Sequence, residues 1–131
     1  MRLKDLMTLP VEVISPRASV ATAERRLRVK GIHHLVVVDN GAVVGLVSND
    51  ILRNRQADGA KRVEDAMLRN ITLATPEMTV HDAVDLVKPG HLQTALPVIS
   101  GTGLVGIVTV SDLLDLAARA RSDHRPSSVA G

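Results

Sequence analysis

Phenylalanine, tyrosine and tryptophan are all absent from the 131 residues, and so is cysteine. Without aromatic rings the chain cannot stack on exposed bases, the usual anchor for single-stranded nucleic acid and for an adenine ring, so any base held here sits between aliphatic side chains. Without cysteine there is no disulfide framework and no thiolate chemistry, which is compatible with a reducing compartment. An excess of one charge is also missing. Sixteen Lys and Arg against fourteen Asp and Glu leave a formal net charge of +2, and the basic residues are scattered among acidic ones, which argues against non-specific nucleic-acid binding. The richest basic stretch, Arg25 to Lys30, reads as the solvated face of a helix. The longest apolar runs are too short to span a bilayer and no basic-then-apolar leader opens the sequence, so the expected location is cytoplasmic and no membrane is involved.

What is present suits a soluble globular protein, with 45% hydrophobic and 23% charged residues. The core must be built from Val, Leu, Ile, Met and Ala. The length allows one compact domain or two small repeats sharing a core. A repeat is visible. Lys4-Asp5-Leu6-Met7 returns 60 residues later as Glu64-Asp65-Ala66-Met67, and Ser15-Pro16 and Ser19-Val20 return in the same register as Thr75-Pro76 and Thr79-Val80. Beyond the first helix the offset becomes 61: Leu35-Val36-Val37-Val38 answers Leu96-Pro97-Val98-Ile99, and Gly45-Leu46-Val47-Ser48 answers Gly106-Ile107-Val108-Thr109. The expected organisation is repeat 1 over 1–56, a linker over 57–61, repeat 2 over 62–121 and a disordered tail over 122–131.

Each half reads alike. Ser19 and Thr79 are placed as N-caps, and Thr79-x-x-Asp82 fits a capping box. Apolar residues then recur at helical spacing, at Val20, Ala23 and Leu27 and at Val80, Ala83, Val84 and Val87. Two short β-branched strands follow, joined by Asn40-Gly41, which tolerates the positive φ of a tight hairpin, and by Ser100 to Gly103 in the later copy. Gly45 and Gly106 fall inside the returning strands and mark a bulge or a close backbone approach. A second helix is expected near Asp50 and Asp112, capped in the later copy by Ser111, with an apolar stripe of Leu113, Leu116, Ala117 and Ala120.

Ala95-Leu96-Pro97-Val98-Ile99 followed by Gly106-Ile107-Val108-Thr109-Val110-Ser111-Asp112-Leu113-Leu114 resembles the h-P-V strand and the G-h-h-[ST]-x-x-D-h signature of the CBS domain family, named for cystathionine β-synthase. The resemblance covers roughly residues 2 to 120. It implies an α/β (α+β) fold in which two β-α-β-β-α repeats pack with pseudo-two-fold symmetry, often as a homodimer. It further implies a regulatory module, not an enzyme, binding an adenosine-type small molecule such as AMP, ADP, ATP or S-adenosylmethionine between the repeats. The signature Asp of such a module takes the ribose hydroxyls and the Ser or Thr lies near a phosphate. Here that points to Thr109, Ser111 and Asp112, with Thr72 and Thr94 lining the rest of the cleft, and to Ser48 and Asp50 in the first copy. A structural dimerisation module without ligand is the competing reading.

Physical chemistry gives these residues a rationale of their own. A carboxylate at a helix N-terminus is favoured by the dipole and accepts hydroxyl hydrogen bonds, and amides at the start of a helix suit an anion. Ser, Thr and Asp are equally ordinary capping residues. The first copy departs from the pattern, with one residue fewer between Ser48 and its carboxylate; that amounts to ~100° of helical rotation, so Asp50 need not point where Asp112 does. Val36 also stands where the family has Pro. His33 and His34 correspond to Thr94 and Ala95. One of them touches a ligand phosphate, with affinity rising as it protonates near its ordinary pKa, or the two face opposite sides of a strand with one outward. His81, Asp82 and Asp85 read as an exposed helix face, and no histidine or carboxylate spacing indicates a metal or a catalytic set.

Overall fold

The structure, a computed structural model, describes residues 1–57, 59–87, 92–101 and 103–119. The expected tail over 122–131 and Ala120 lie outside them. The first half opens with a 3-10 turn, Leu3–Asp5, followed by β1 (Val13–Ile14), α1 (Val20–Lys30), β2 (His34–Asp39), β3 (Ala42–Ser48) and α2 (Asn49–Ala57). The second runs through α3 (Val63–Ala66), α4 (Val80–Leu86), β4 (Ala95–Ser100) and β5 (Gly103–Thr109), and residues 110–119 form a last helix, α5.

Local chemistry explains most boundaries. Ser19 accepts a hydrogen bond from the Thr22 amide and starts α1, and Thr79 and Asp82 form the reciprocal capping box that starts α4. Helix α1 buries Val20, Ala23 and Leu27, the stripe expected from spacing, and ends at Gly31 in the left-handed conformation. The β2–β3 hairpin turns through Asn40 and Gly41, both at positive φ (52° and 81°). In both hairpins the register shifts beside the strand glycine: Val37 opposes Gly45 and Val38 opposes Val43, while Val98 opposes Gly106 and Ile99 opposes Leu104.

The two sheets, β1-β2-β3 and β4-β5, meet through a cluster built on Val36, Leu46 and Ala95. The repeats are also joined by a reciprocal exchange of opening segments. The Leu3 amide donates to the Met78 carbonyl at 2.9 Å, and the Val63 amide to the Ala18 carbonyl at 2.8 Å. Thr8 likewise donates to Ile107 and Leu68 to Leu46, both at 2.9 Å. Each repeat therefore begins by covering the other one: Leu3 is buried in a core with Leu96, Val98 and Val108, and Val63, Ala66 and Met67 are buried in a core with Leu27, Leu35 and Val47.

The strand glycines exist for this exchange. A Cβ on Gly45 would stand 2.6 Å from Met67 Sδ and 3.0 Å from the Leu68 carbonyl oxygen, and one on Gly106 would collide with Met7 Sδ. The paired Asp-x-Met motif and the paired glycine are thus two halves of one contact, made crosswise. Gly45→Ala should lower stability by about 1–3 kcal/mol, the usual cost of overpacking. Gly101→Ala, with nothing within 4 Å of the new methyl, should stay within ~0.5 kcal/mol of the parent. Urea denaturation of both variants checks the pair; equal midpoints would remove the account of Gly45.

Among the described residues the two copies differ in how far their first strand pairs. In the first repeat the Val36 amide donates to the Glu12 carbonyl at 3.1 Å and β1 pairs β2 at Val13↔Val36 and Ile14↔Val37. The residue matching Val36 is Pro97, which has no N–H. Pairing shrinks to the single bridge Ala74↔Val98.

Candidate functional site

Four of the expected site residues, Ser48, His34, Thr94 and Thr109, lie at strand ends. Ser48 is opposite His34 at the end of the β2–β3 hairpin, and Thr109 is opposite Ala95 at the end of β4–β5. The two ends are joined across the repeats, His34 Nε2 lying 2.7 Å from Thr94 Oγ1. The Thr94 carbonyl in turn accepts from the Val110 amide at 2.9 Å, at the first turn of α5.

Hydroxyls at these strand ends cap the following helices. Thr109 Oγ1 accepts from the Asp112 amide at 3.2 Å, and Ser48 Oγ accepts from the Ile51 amide at 3.2 Å. The cap of α5 is therefore Thr109 and not Ser111, which is the second helical residue and exposed. The matching hydrogen bonds also show that the 61-residue register continues into the helices. Ile51, not Asp50, occupies the place of Asp112, and it is buried in contrast to the exposed Asp112. Asp50 matches Ser111, points to solvent and pairs with Arg53 at 3.7 Å on its own helix. The first copy thus has a hydroxyl but no carboxylate at the signature position. Asp112 makes no ion pair among the described residues and borders a depression of about 210 Å³ with Leu6, Leu116 and the Asp115–Arg119 pair.

The adjacent histidines divide as a strand requires. His33 is exposed; His34 is largely buried and holds Thr94. Burial, assisted by the neighbouring His33, lowers the His34 pKa from 6.5 to about 4. The expectation that protonation near the ordinary value would strengthen nucleotide binding does not hold for His34, whose imidazole is neutral there.

Thr72 lies in a smaller cavity of about 70 Å³ with Asn70, Gln93 and the aliphatic Leu86, Val87, Leu96 and Val110. Gln93 was not marked by sequence reasoning. Its amide accepts from the Thr72 amide at 2.9 Å and donates to the Thr72 carbonyl at 2.7 Å and the Ala95 carbonyl at 3.0 Å. The signal that would have found it is a polar residue placed shortly before a strand whose Pro97 leaves a neighbouring carbonyl without an amide. Asp112 and Thr72 border different depressions, so the expected set does not form one cavity. The remaining acidic helix face has a local role in part, since Asp82 serves the capping box. Among the described residues no cluster of three His, Asp or Glu side chains is placed to hold a metal, and no helix is long and apolar enough to cross a membrane.

A family model for the CBS domain matches residues 3–57 and again residues 63–119. The chain belongs to the CBS domain family. This CBS pair is 30% identical over 115 residues to the CBS domain-containing protein YhcV of Bacillus subtilis, covering 85% of this chain and 81% of that protein. The CBS domain pair of protein MJ0100, solved with 5′-methylthioadenosine and S-adenosyl-L-methionine, superposes with a TM-score of 0.79 at 28% identity, over 92% of this chain and 98% of that one. CBSX2 of Arabidopsis thaliana, solved with AMP, gives 0.74 at 25% identity over the same shares, 92% and 98%. Against larger relatives the CBS pair spans only part: 24% of a homoserine O-acetyltransferase from Methanosphaerula palustris and 23% of an inosine-5′-monophosphate dehydrogenase from Korarchaeum cryptofilum.

Proposed function

We propose that this CBS pair is a regulatory ligand-sensing module that binds an adenosine-containing nucleotide or related metabolite, in the range AMP, ADP, ATP and S-adenosylmethionine, and performs no reaction on it. The observation that carries this is Asp112: an exposed carboxylate in the first turn of α5, without an ion pair among the described residues, beside a strand-end hydroxyl. Two ribose hydroxyls can donate to such a carboxylate, and the α5 amides suit a phosphate. The adenosine ligands of the MJ0100 and CBSX2 pairs support the class. A ligand shifts the arrangement of the repeats only by as much as it prefers one arrangement to another; that shift is what a regulated protein partner would read.

The first-copy signature is the weaker site because Ile51 has replaced the carboxylate and is packed into the interior. Calorimetry with the four ligands should therefore show Asp112→Ala losing at least tenfold in affinity, in line with ~1.5–3 kcal/mol for hydrogen bonds to a charged group. Asp50→Ala should bind as the parent does. Loss of binding in Asp50→Ala with Asp112→Ala unaffected would reverse the assignment.

A second reading, a ligand-free homodimerisation module, is favoured by one feature. Exposed Leu9 and Val13 join Val11, Val38 and Leu104 along an apolar depression. No heat and no thermal shift with any of the four ligands, together with a dimer by sedimentation, would select it.

A further inference from the structure

Sulfur in this chain is confined to four methionines, Met1, Met7, Met67 and Met78, and cysteine, the more reactive sulfur, is absent. Tyrosine and tryptophan, which oxidants also attack, are absent too. An oxidant that meets this protein therefore reacts first at a thioether. The four are not equivalent. Met1 is 71% exposed, whereas Met67 is 6% exposed and closed inside the first core. Met7 and Met78 lie between these extremes, partly exposed and packed against the second core. Met7 alone combines solvent access with a sulfur seated on a strand glycine.

The seat is tight. A Cβ on Gly106 would lie 2.4 Å from Met7 Sδ and 2.7 Å from its Cγ, so the sulfur rests on bare strand backbone with less room than a methyl group needs. A thioether suits this apolar seat. A sulfoxide is polar and larger by one oxygen, and a polar group buried without a donor is unfavourable. The neighbours of Met7 tie the opening segment down on either side. The Thr8 amide donates to the Ile107 carbonyl at 2.9 Å, one residue from Gly106, and Leu6 lines the depression beside Asp112. We propose that Met7 is an oxidation site for hydroperoxides and that its sulfoxide releases the opening segment, residues 1–8, from the second repeat. In the step the peroxide O–O bond breaks and one oxygen bonds to Sδ through a sulfur lone pair. The thioether is oxidised by two electrons, and the peroxide is reduced to water or an alcohol. Release also takes Leu6 out of the wall of the Asp112 depression. The counterpart contact of Met67 on Gly45 is out of the oxidant's reach, so the two crosswise contacts respond unequally and the protein opens at one of them. The inference is independent of the ligand class proposed above.

The test treats the full folded chain with hydrogen peroxide, assigns the added oxygen by peptide mass spectrometry, and follows urea denaturation and hydrogen exchange. Met7 should take up oxygen at least about tenfold faster than Met67, which should react only once urea unfolds the chain. The oxidised protein should have a lower urea midpoint and exchange 95–108 about tenfold faster, with 34–47 unchanged. Met7→Leu keeps an apolar side chain of similar size and should hold its midpoint and exchange through the same treatment, while Met78→Leu should respond as the parent does. Met7 left unmodified in the folded protein, or oxidised with midpoint and exchange unchanged, overturns the proposal. So does a Met7→Leu variant that loosens on oxidation as much as the parent, or a Met78→Leu variant that resists. If Met7→Leu does not fold, partly oxidised parent decides: the molecules carrying oxygen on Met7 should exchange 95–108 quickly, and those oxidised on Met1 alone should not.

Discussion

Leu3→Ala is expected to destabilise the protein by about 3 kcal/mol, within the ~2–5 kcal/mol seen for removing a buried leucine side chain, and to do so in the repeat to which Leu3 does not belong by sequence. Leu3 is fully buried among Ala74, Ala83, Leu96, Val98, Val108 and Leu113. Its amide and that of Lys4 donate to Met78 and Pro76. A cavity at that position strips contacts from β4, β5 and α5, not from β2 and β3. Hydrogen exchange should accordingly quicken first in 95–108, whereas Val63→Ala, the counterpart in the first core, should quicken 34–47. A Leu3→Ala variant that loosened 34–47 first, or that lost under ~1 kcal/mol, would contradict the exchanged packing.

Acid should weaken the fold through His34. Its folded pKa is lowered from 6.5 to about 4, by burial first and by His33 second. The unfolded chain therefore takes up a proton that the folded one refuses. Stability from this residue is unaffected above 6.5, falls as the pH drops below it, and levels off below about 4. At ~1.36 kcal/mol per unit of pKa the loss amounts to roughly 3 kcal/mol. His34→Gln keeps a hydrogen-bonding group near Thr94 Oγ1 without a titrating ring. Denaturation midpoints of parent and variant at neutral pH and near pH 4.5 should diverge, the parent losing more. Parallel pH profiles would show that His34 does not carry the effect. The His34–Thr94 contact links the repeats at the strand ends.

Asymmetry between the halves matters for how this CBS pair can signal. The first copy keeps its strand-end hydroxyl but buries Ile51 where the second exposes Asp112. It also closes the Glu12 carbonyl with a sheet hydrogen bond where the second leaves Thr72 to a side chain. Both differences follow from single residues, and they fall on different structural elements.

The 60- and 61-residue echoes, the helical stripes, the Thr79–Asp82 cap and the Asn40-Gly41 turn were all legible in the sequence, because each depends on residues within a few positions of one another. So was the family, since its signature is a run of adjacent residues. Three things were decided only in the tertiary structure. Which core Leu3 and Val63 enter cannot be read from a repeat, because the same apolar residue satisfies either one; the crosswise choice appears where Gly45 and Gly106 admit Met67 and Met7. The shift of Asp50 out of the signature position depends on where helix α2 starts, and that is fixed by Ser48 taking the Ile51 amide. Gln93 belongs to none of the motifs in the sequence. It acquires a role because Pro97, four residues on, withholds an N–H from the Thr72 carbonyl, twenty-one residues before Gln93, and a donor had to come from somewhere.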